Sequence, residues 1–180
     1  MDYETQIEIA TISLWNYGAI ILNVIASMIL YMKAKRSASL NAFFLVQFSM
    51  LIWLVGKVFK TVAPTEEIRW LAIIFYYIGI MLLEVSFLDF AYIYYKGKPL
   101  KKYLRIALYL TGFIQYMVVF TNPYHHLFYS EYDFWGDEFG VLFYVNTVIY
   151  YIFIVIGMVY CSQEFRKQFK YKGKKQQYII

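Results

Sequence analysis

The sequence predicts an all-α, polytopic transmembrane bundle of five spanning helices, with the N-terminus outside and the C-terminus inside. Three observations carry that expectation. Composition comes first: 61% of residues are hydrophobic, 16% are charged and the mean hydropathy is +0.49, whereas a soluble domain is about 45–50% apolar and about 25% charged. Second, the apolar residues gather into five runs of about 20 residues, the length that crosses a hydrocarbon core roughly 30 Å thick. Third, 14 of the 17 Lys and Arg residues fall in three clusters, Lys33–Arg36, Lys96–Arg105 and Arg166–Lys175, which lie on alternate sides of those runs. Short loops that retain Lys and Arg mark the cytoplasmic face, so the alternation orients the chain.

The five runs are Ile12–Met32, Leu40–Thr61, Trp70–Tyr95, Tyr103–Thr121 and Gly140–Cys161. In lipid each must be helical, because no water satisfies free backbone N–H and C=O groups there. Strands of about 10 residues with alternating polarity, the mark of a transmembrane barrel, are absent. The first run follows an acidic segment, Met1–Glu8, and is too long for the apolar region of a cleavable signal. The second and third are joined by the acidic loop 62–69, in which Pro64 breaks the turn. Short loops at 33–38 and 62–69 make the first three helices antiparallel neighbours. Pro99 breaks the loop 96–102 before the fourth run.

The remaining basic residues, Lys57, Lys60 and Arg69, lie on the outer side, where Lys57 and Lys60 can snorkel from the end of the second helix. Trp15, Trp70 and Trp135 fall near the outer interface and Tyr94, Tyr95 and Tyr103 near the inner one, as in an aromatic belt. The whole chain reads as one membrane domain whose basic tail, 162–180, ends Gln176-Gln177-Tyr178-Ile179-Ile180. Rising hydropathy there is expected to lead toward a sixth helix.

The +5 net charge needs no nucleic acid to explain it, since the clusters are short and juxtamembrane. The expected partners begin with the bilayer itself. The single cysteine, Cys161, has no partner for a disulfide or metal site and reads as an inert membrane thiol, with palmitoylation the alternative. No cofactor is expected.

Two acids lie inside the third helix. Glu84 is about 14 residues, or roughly 20 Å, from the outer end. An acid at that depth faces the bundle interior or water and is a functional candidate by default. A protonated structural carboxyl is the competing reading. Asp89 lies nearer the inner boundary and is expected to reach headgroups. Their i, i+5 spacing separates them by about 140°, which argues against a paired-carboxylate site. Lys57 lies at a different depth from Glu84 and is not expected to pair with it. Asn16, Asn23, Ser27, Gln47, Ser49, Gln115 and Asn146 are expected to hydrogen-bond between helices, and Gly79 and Gly157 to allow close helix contacts.

The segment Thr121-Asn122-Pro123-Tyr124-His125-His126-Leu127-Phe128-Tyr129 is the most distinctive outer stretch. It reads as an aromatic interfacial loop in which Asn122 caps and Pro123 starts a short turn. Adjacent histidines point in different directions and no third ligand helps, so no metal site is expected. Phosphate loops, nucleophile elbows and zinc-protease motifs are absent from the sequence.

Taken together, Thr121-Asn122-x-x-His125-x-Leu127-Phe128 after a basic loop and a helix, Trp53 in the second helix, and Tyr77-Ile78-Gly79-Ile80 followed by Phe90 and Tyr94 resemble the seven-helix region at the N-terminus of many prokaryotic sensor histidine kinases. The resemblance spans nearly the whole chain, and its order is more specific than its single motifs. It implies a membrane-embedded sensor that binds a small or lipophilic signal and acts through a histidine kinase or other output module in cis or in trans, as a homodimer. It makes Asn122, His125, Phe128 and Tyr129 candidate signal-loop residues, with Trp53, Tyr77 and Gly79 as candidate packing residues. Glu84 and Asp89 remain the candidate intramembrane polar site. The family often has proline where Glu84 stands and tryptophan where Tyr129 stands. Five helices stand against its seven, and no phospho-acceptor segment or ATP lid is present, so no kinase activity is expected of these residues. A small permease working through Glu84, or an inactive fragment of a broken kinase gene, are the other readings.

Overall fold

The computed structural model describes residues 3–132 and 137–177; the expectations for Met1, Asp2, Trp135 and Tyr178–Ile180 lie outside them. Helix α1 (Tyr3–Lys33) is followed by α2 (Ala38–Val62), α3 (Glu66–Lys96) and α4 (Lys102–Phe120). A one-turn helix α5 (Asn122–His125) and a hairpin of β1 (Tyr129–Tyr132) and β2 (Asp137–Phe139) then lead into α6 (Val141–Gln177). By length and composition, five of the described helices are able to cross a membrane: α1 from Ala10, then α2, α3, α4 and α6 to Lys170. The described residues form a five-helix transmembrane bundle.

The chain punctuates these helices with ordinary capping chemistry. Ser37 caps α2, its hydroxyl accepting from the Leu40 amide at 3.1 Å. Thr65 does the same for α3, accepting from Ile68 at 3.4 Å. Gly97 ends α3 in the left-handed conformation, φ 69°, and its amide donates to the Ile93 carbonyl at 2.8 Å. The last helix does not stop at Cys161 as the apolar run suggested. It continues through the basic cluster to Gln177, because no Pro or turn motif interrupts Lys, Arg, Gln and Glu, which are all good helix formers.

Helix α3 is the hub, packing against α2, α4 and α6, while α1 packs on α2. Glycines bring α2 and α3 together at two levels. A Cβ on Gly79 would stand 2.3 Å from the Trp53 backbone nitrogen, and one on Gly56 would stand 2.5 Å from the Tyr76 Cβ. Small residues at a helix crossing replace the hydrophobic drive that lipid cannot supply. Gly157 of α6 takes the Phe87 ring in the same way, 2.6 Å from its virtual Cβ. The α1–α2 seam is polar: Asn23 donates its amide to Gln47, with Ser13 buried on the same face. The outer faces of α1, α4 and α6 expose Leu14, Trp15, Ile106, Ile114, Val148 and Val155, as a lipid-facing surface must.

The segment after α4 differs from the expected interfacial loop. β1 and β2 pair antiparallel, Tyr129 opposite Phe139 and Tyr132 opposite Asp137, with a bulge between Tyr129 and Glu131. Gly140 fits the hairpin base against α6. Its amide donates to the Phe128 carbonyl at 2.9 Å, and a Cβ there would stand 2.2 Å from the Leu127 oxygen. Lys60 pairs with Asp137 instead of merely snorkelling, and the Trp70 ring lies 5.0 Å from that of Tyr132. The hairpin is thereby fastened to α2, α3 and α6 at once.

Candidate functional site

Asn122 does not cap α5, for which Thr121 is the terminal residue and no side chain caps. It is fully buried and folds back on the chain that follows. Its Oδ1 accepts the amides of Phe128 at 2.9 Å and Tyr129 at 3.0 Å, and its Nδ2 donates to the Tyr129 carbonyl at 3.1 Å. One amide thus satisfies three buried backbone groups at the entry to β1.

His125 stands beside this clasp. Its Nδ1 accepts the Leu127 amide at 2.9 Å, while Nε2 lies 3.2 Å from the Val118 carbonyl and 3.3 Å from the Thr121 hydroxyl. Accepting at Nδ1 places the ring proton on Nε2, where it donates to those oxygens. Both nitrogens are occupied within the chain. His126, next to it, ends α5 with φ 53°.

The clasp presents Phe128 and Tyr129 inward, each 1% exposed. The Tyr129 hydroxyl sits 2.9 Å from that of Tyr76 and 2.8 Å from that of Tyr77. Burial pushes the Tyr129 phenol above its ordinary range, and the adjacent Tyr77 hydroxyl adds to the effect. Tyr132, further out on β1, is also raised, by burial and then by the carboxylates of Glu66 and Glu67.

Beneath Phe128 lies a cavity of about 370 Å³ between α2, α3, α4 and α6. Its upper walls are aromatic: Trp53, Tyr77, Tyr116, Phe128 and Phe143. Deeper in, Glu84, Gln115, Asn146, Thr147 and Tyr150 supply polar groups. Gln115 and Asn146 bridge α4 and α6 reciprocally. Gln115 Nε2 lies 3.4 Å from the Asn146 carbonyl, and Asn146 Nδ2 lies 3.2 Å from the Gln115 carbonyl. Glu84 is 2% exposed, and its Oε1 has no hydrogen-bond partner. Three residues past the middle of α3, it sits about 4.5 Å from the helix midpoint.

Of the residues singled out in the sequence, Trp53, Tyr77, Glu84 and Phe128 meet in this one cavity. Tyr129 reaches it through its bond to Tyr77, and Gly79 sets the α2–α3 spacing behind it. Asn122 and His125 hold the cover in place. Asp89 does not join them, nor does it reach headgroups. It is 1% exposed, and its Oδ2 accepts Arg105 Nε at 2.8 Å. The Gly97 turn brings α4 back against α3, so the i, i+16 partner is nearer than solvent. Tyr76, Gly140, Arg105 and Tyr150 were missed, since each works through a contact distant in sequence. Among the described residues no group of three metal-ligating side chains is present.

The model for the N-terminal seven-transmembrane region of histidine kinases matches residues 17–180. The chain belongs to that family: it is a membrane-spanning input region of the sensor-kinase type. No curated protein and no solved structure matches it significantly.

Proposed function

We propose that this bundle senses a small lipophilic molecule, which enters the cavity under Phe128 and changes how α6 sits against α3. The observation that carries this reading is the cavity itself. Its volume falls within the range of roughly 300–1,000 Å³ common for ligand sites, and its cover is a distinct folded unit. A signal needs two states that bind the ligand differently. The hairpin, tied down at discrete contacts through Asn122, Tyr129, Tyr132 and Asp137, is the element best suited to supply them. The helix that follows it, α6, runs unbroken to Gln177, giving a rigid path from the cavity to whatever follows.

The basic clusters support an orientation with the hairpin outside. Lys33–Arg36, Lys96–Arg105 and Arg166–Lys175 border the helix ends opposite the hairpin. Output would then come from a histidine kinase module in cis or in trans, with the chain acting as a dimer. Family membership supports this reading over a permease working through Glu84.

The test is a chimera of this chain and a sensor-kinase catalytic half, assayed for autophosphorylation in proteoliposomes against a panel of lipophilic compounds. Thr147→Trp, which fills the cavity, should abolish a response, and Asn122→Ala should change its basal level. A response that survives Thr147→Trp would remove the cavity from the signalling path.

A further inference from the structure

Two acceptor atoms on residues that line the cavity lack a donor. Glu84 Oε1 is buried without a partner, and so is Gln115 Oε1. The Gln115 orientation is not arbitrary: its Nε2 faces the Asn146 carbonyl, and turning the amide over would set oxygen against oxygen. Two unfilled acceptors therefore belong to residues that line the cavity, one of them a carboxyl three residues past the middle of α3. Among the described residues no Lys, Arg or His lines this space. An ionised carboxylate there is costly without a counter-charge. A ligand carrying its own anion would add repulsion, whereas one carrying a cationic donor group supplies what is missing. The walls agree, since Trp53, Tyr116 and Tyr150 line the same space and aromatic rings attract an ammonium group.

The cavity also has a direction. Its lining runs from Glu84 outward to Tyr151, which is 60% exposed on the lipid side of α6. Tyr116 of α4 also lines the cavity.

We infer that the cavity binds a cationic amphiphile, an alkyl amine whose ammonium group donates to Glu84 and Gln115 while its tail passes between Tyr116 and Tyr151 into the bilayer. This ligand class rests on the cavity reading above and narrows it.

The experiment is equilibrium binding of radiolabelled dodecylamine to the full chain in phosphatidylcholine nanodiscs, with empty discs subtracted. Saturation at one amine per chain is expected, with no competition from dodecanoate and weak competition from dodecanol. Glu84→Gln should weaken amine binding about tenfold or more, because the counter-charge is lost. Thr147→Trp, which leaves Glu84 in place, should abolish it and covers the case in which Glu84→Gln fails to fold. Unchanged amine affinity in folded Glu84→Gln overturns the inference, as does the absence of saturable binding. Dodecanoate or dodecanol binding as well as the amine, and being blocked by Thr147→Trp, overturns the ammonium head alone and keeps the cavity as a ligand site. The chimera response judges the sensor reading independently of all three probes.

Discussion

Asn122 holds Tyr129 from both sides of its peptide unit, accepting the Tyr129 amide at 3.0 Å and donating to the Tyr129 carbonyl at 3.1 Å. With the Phe128 amide also bound to it, this side chain ties the start of the hairpin to α5. Asn122→Ala leaves three buried backbone groups unsatisfied, at about 1–3 kcal/mol for each that water cannot reach. Hydrogen exchange in nanodiscs should show the amides of Phe128 and Tyr129 losing protection while those of α3 keep theirs. Asn122→Asp should fall between, since it retains the acceptor but sets an oxygen against the Tyr129 carbonyl. Equal protection in Asn122→Ala and the parent would mean that strand pairing alone closes the cover.

Tyr129→Phe removes only the hydroxyl shared by Tyr76 and Tyr77. Those two phenols then keep each other or go unsatisfied, which should cost about 1–3 kcal/mol. Tyr129→Ala also deletes the ring packed on Phe139 and Phe143, and should cost about 3–5 kcal/mol. Thermal unfolding in detergent should rank parent, Phe and Ala in that order. Identical midpoints for Phe and parent would show that the hydroxyl trio is not stabilising.

The hairpin should loosen in alkali. Tyr129 and Tyr132 both hold their protons more tightly in the folded chain than a free phenol does. Their contribution is therefore fully present below the unfolded value near pH 10 and is lost as pH rises through the raised folded values. Glu66→Gln with Glu67→Gln removes the two carboxylates that act on Tyr132, so its titration should move to lower pH. Carbon-labelled tyrosine NMR of the parent and the double variant reads this directly, and an unmoved Tyr132 curve would place the cause in burial alone.

How much of this was legible in the sequence depends on the range of each interaction. The five spans follow from residue-by-residue hydropathy, and Gly79 from the meaning of a small residue in a spanning helix. Asn122 was noticed but given a cap's role, because its partners at 128 and 129 are visible only once β1 turns back over α5. Asp89 was assigned to headgroups from depth alone, since Arg105 becomes its neighbour only after the Gly97 turn. Trp53, Tyr77, Glu84 and Phe128 stand on two helices and a loop, so nothing local announces that they share one cavity.

The crossing at Gly79 leaves no room for a side chain between α2 and α3. A methyl group there would stand 2.3 Å from the Trp53 nitrogen and 2.8 Å from the Ser49 carbonyl, and backbone atoms cannot rotate away. Gly79→Ala should force α2 and α3 apart and cost about 1–3 kcal/mol, with Gly79→Leu costing more. Gly18, which has nothing within 4 Å of its virtual Cβ, is the control, and Gly18→Ala should be neutral or slightly stabilising. Detergent melts in which the two alanine variants behave alike would refute the close crossing.

Removing Arg105 should harm the bundle more than removing both members of its pair. Asp89 is 1% exposed while the Arg105 side chain is 47% exposed, so the carboxylate bears most of the desolvation and the guanidinium keeps part of its hydration. Arg105→Leu strands a buried charge, a change worth about 3–5 kcal/mol where water is excluded. Asp89→Asn keeps the shape and loses the charge, leaving Arg105 free to turn toward headgroups, so its cost should be smaller. In Asp89→Asn with Arg105→Leu no buried charge remains. The double variant should then be more stable than Arg105→Leu alone, giving a coupling of about 0.5–3 kcal/mol between two contacting residues. A double-mutant cycle of unfolding in mild detergent measures it. Additive losses would mean that water or lipid headgroups reach Asp89, and that the pair does not fasten α3 to α4.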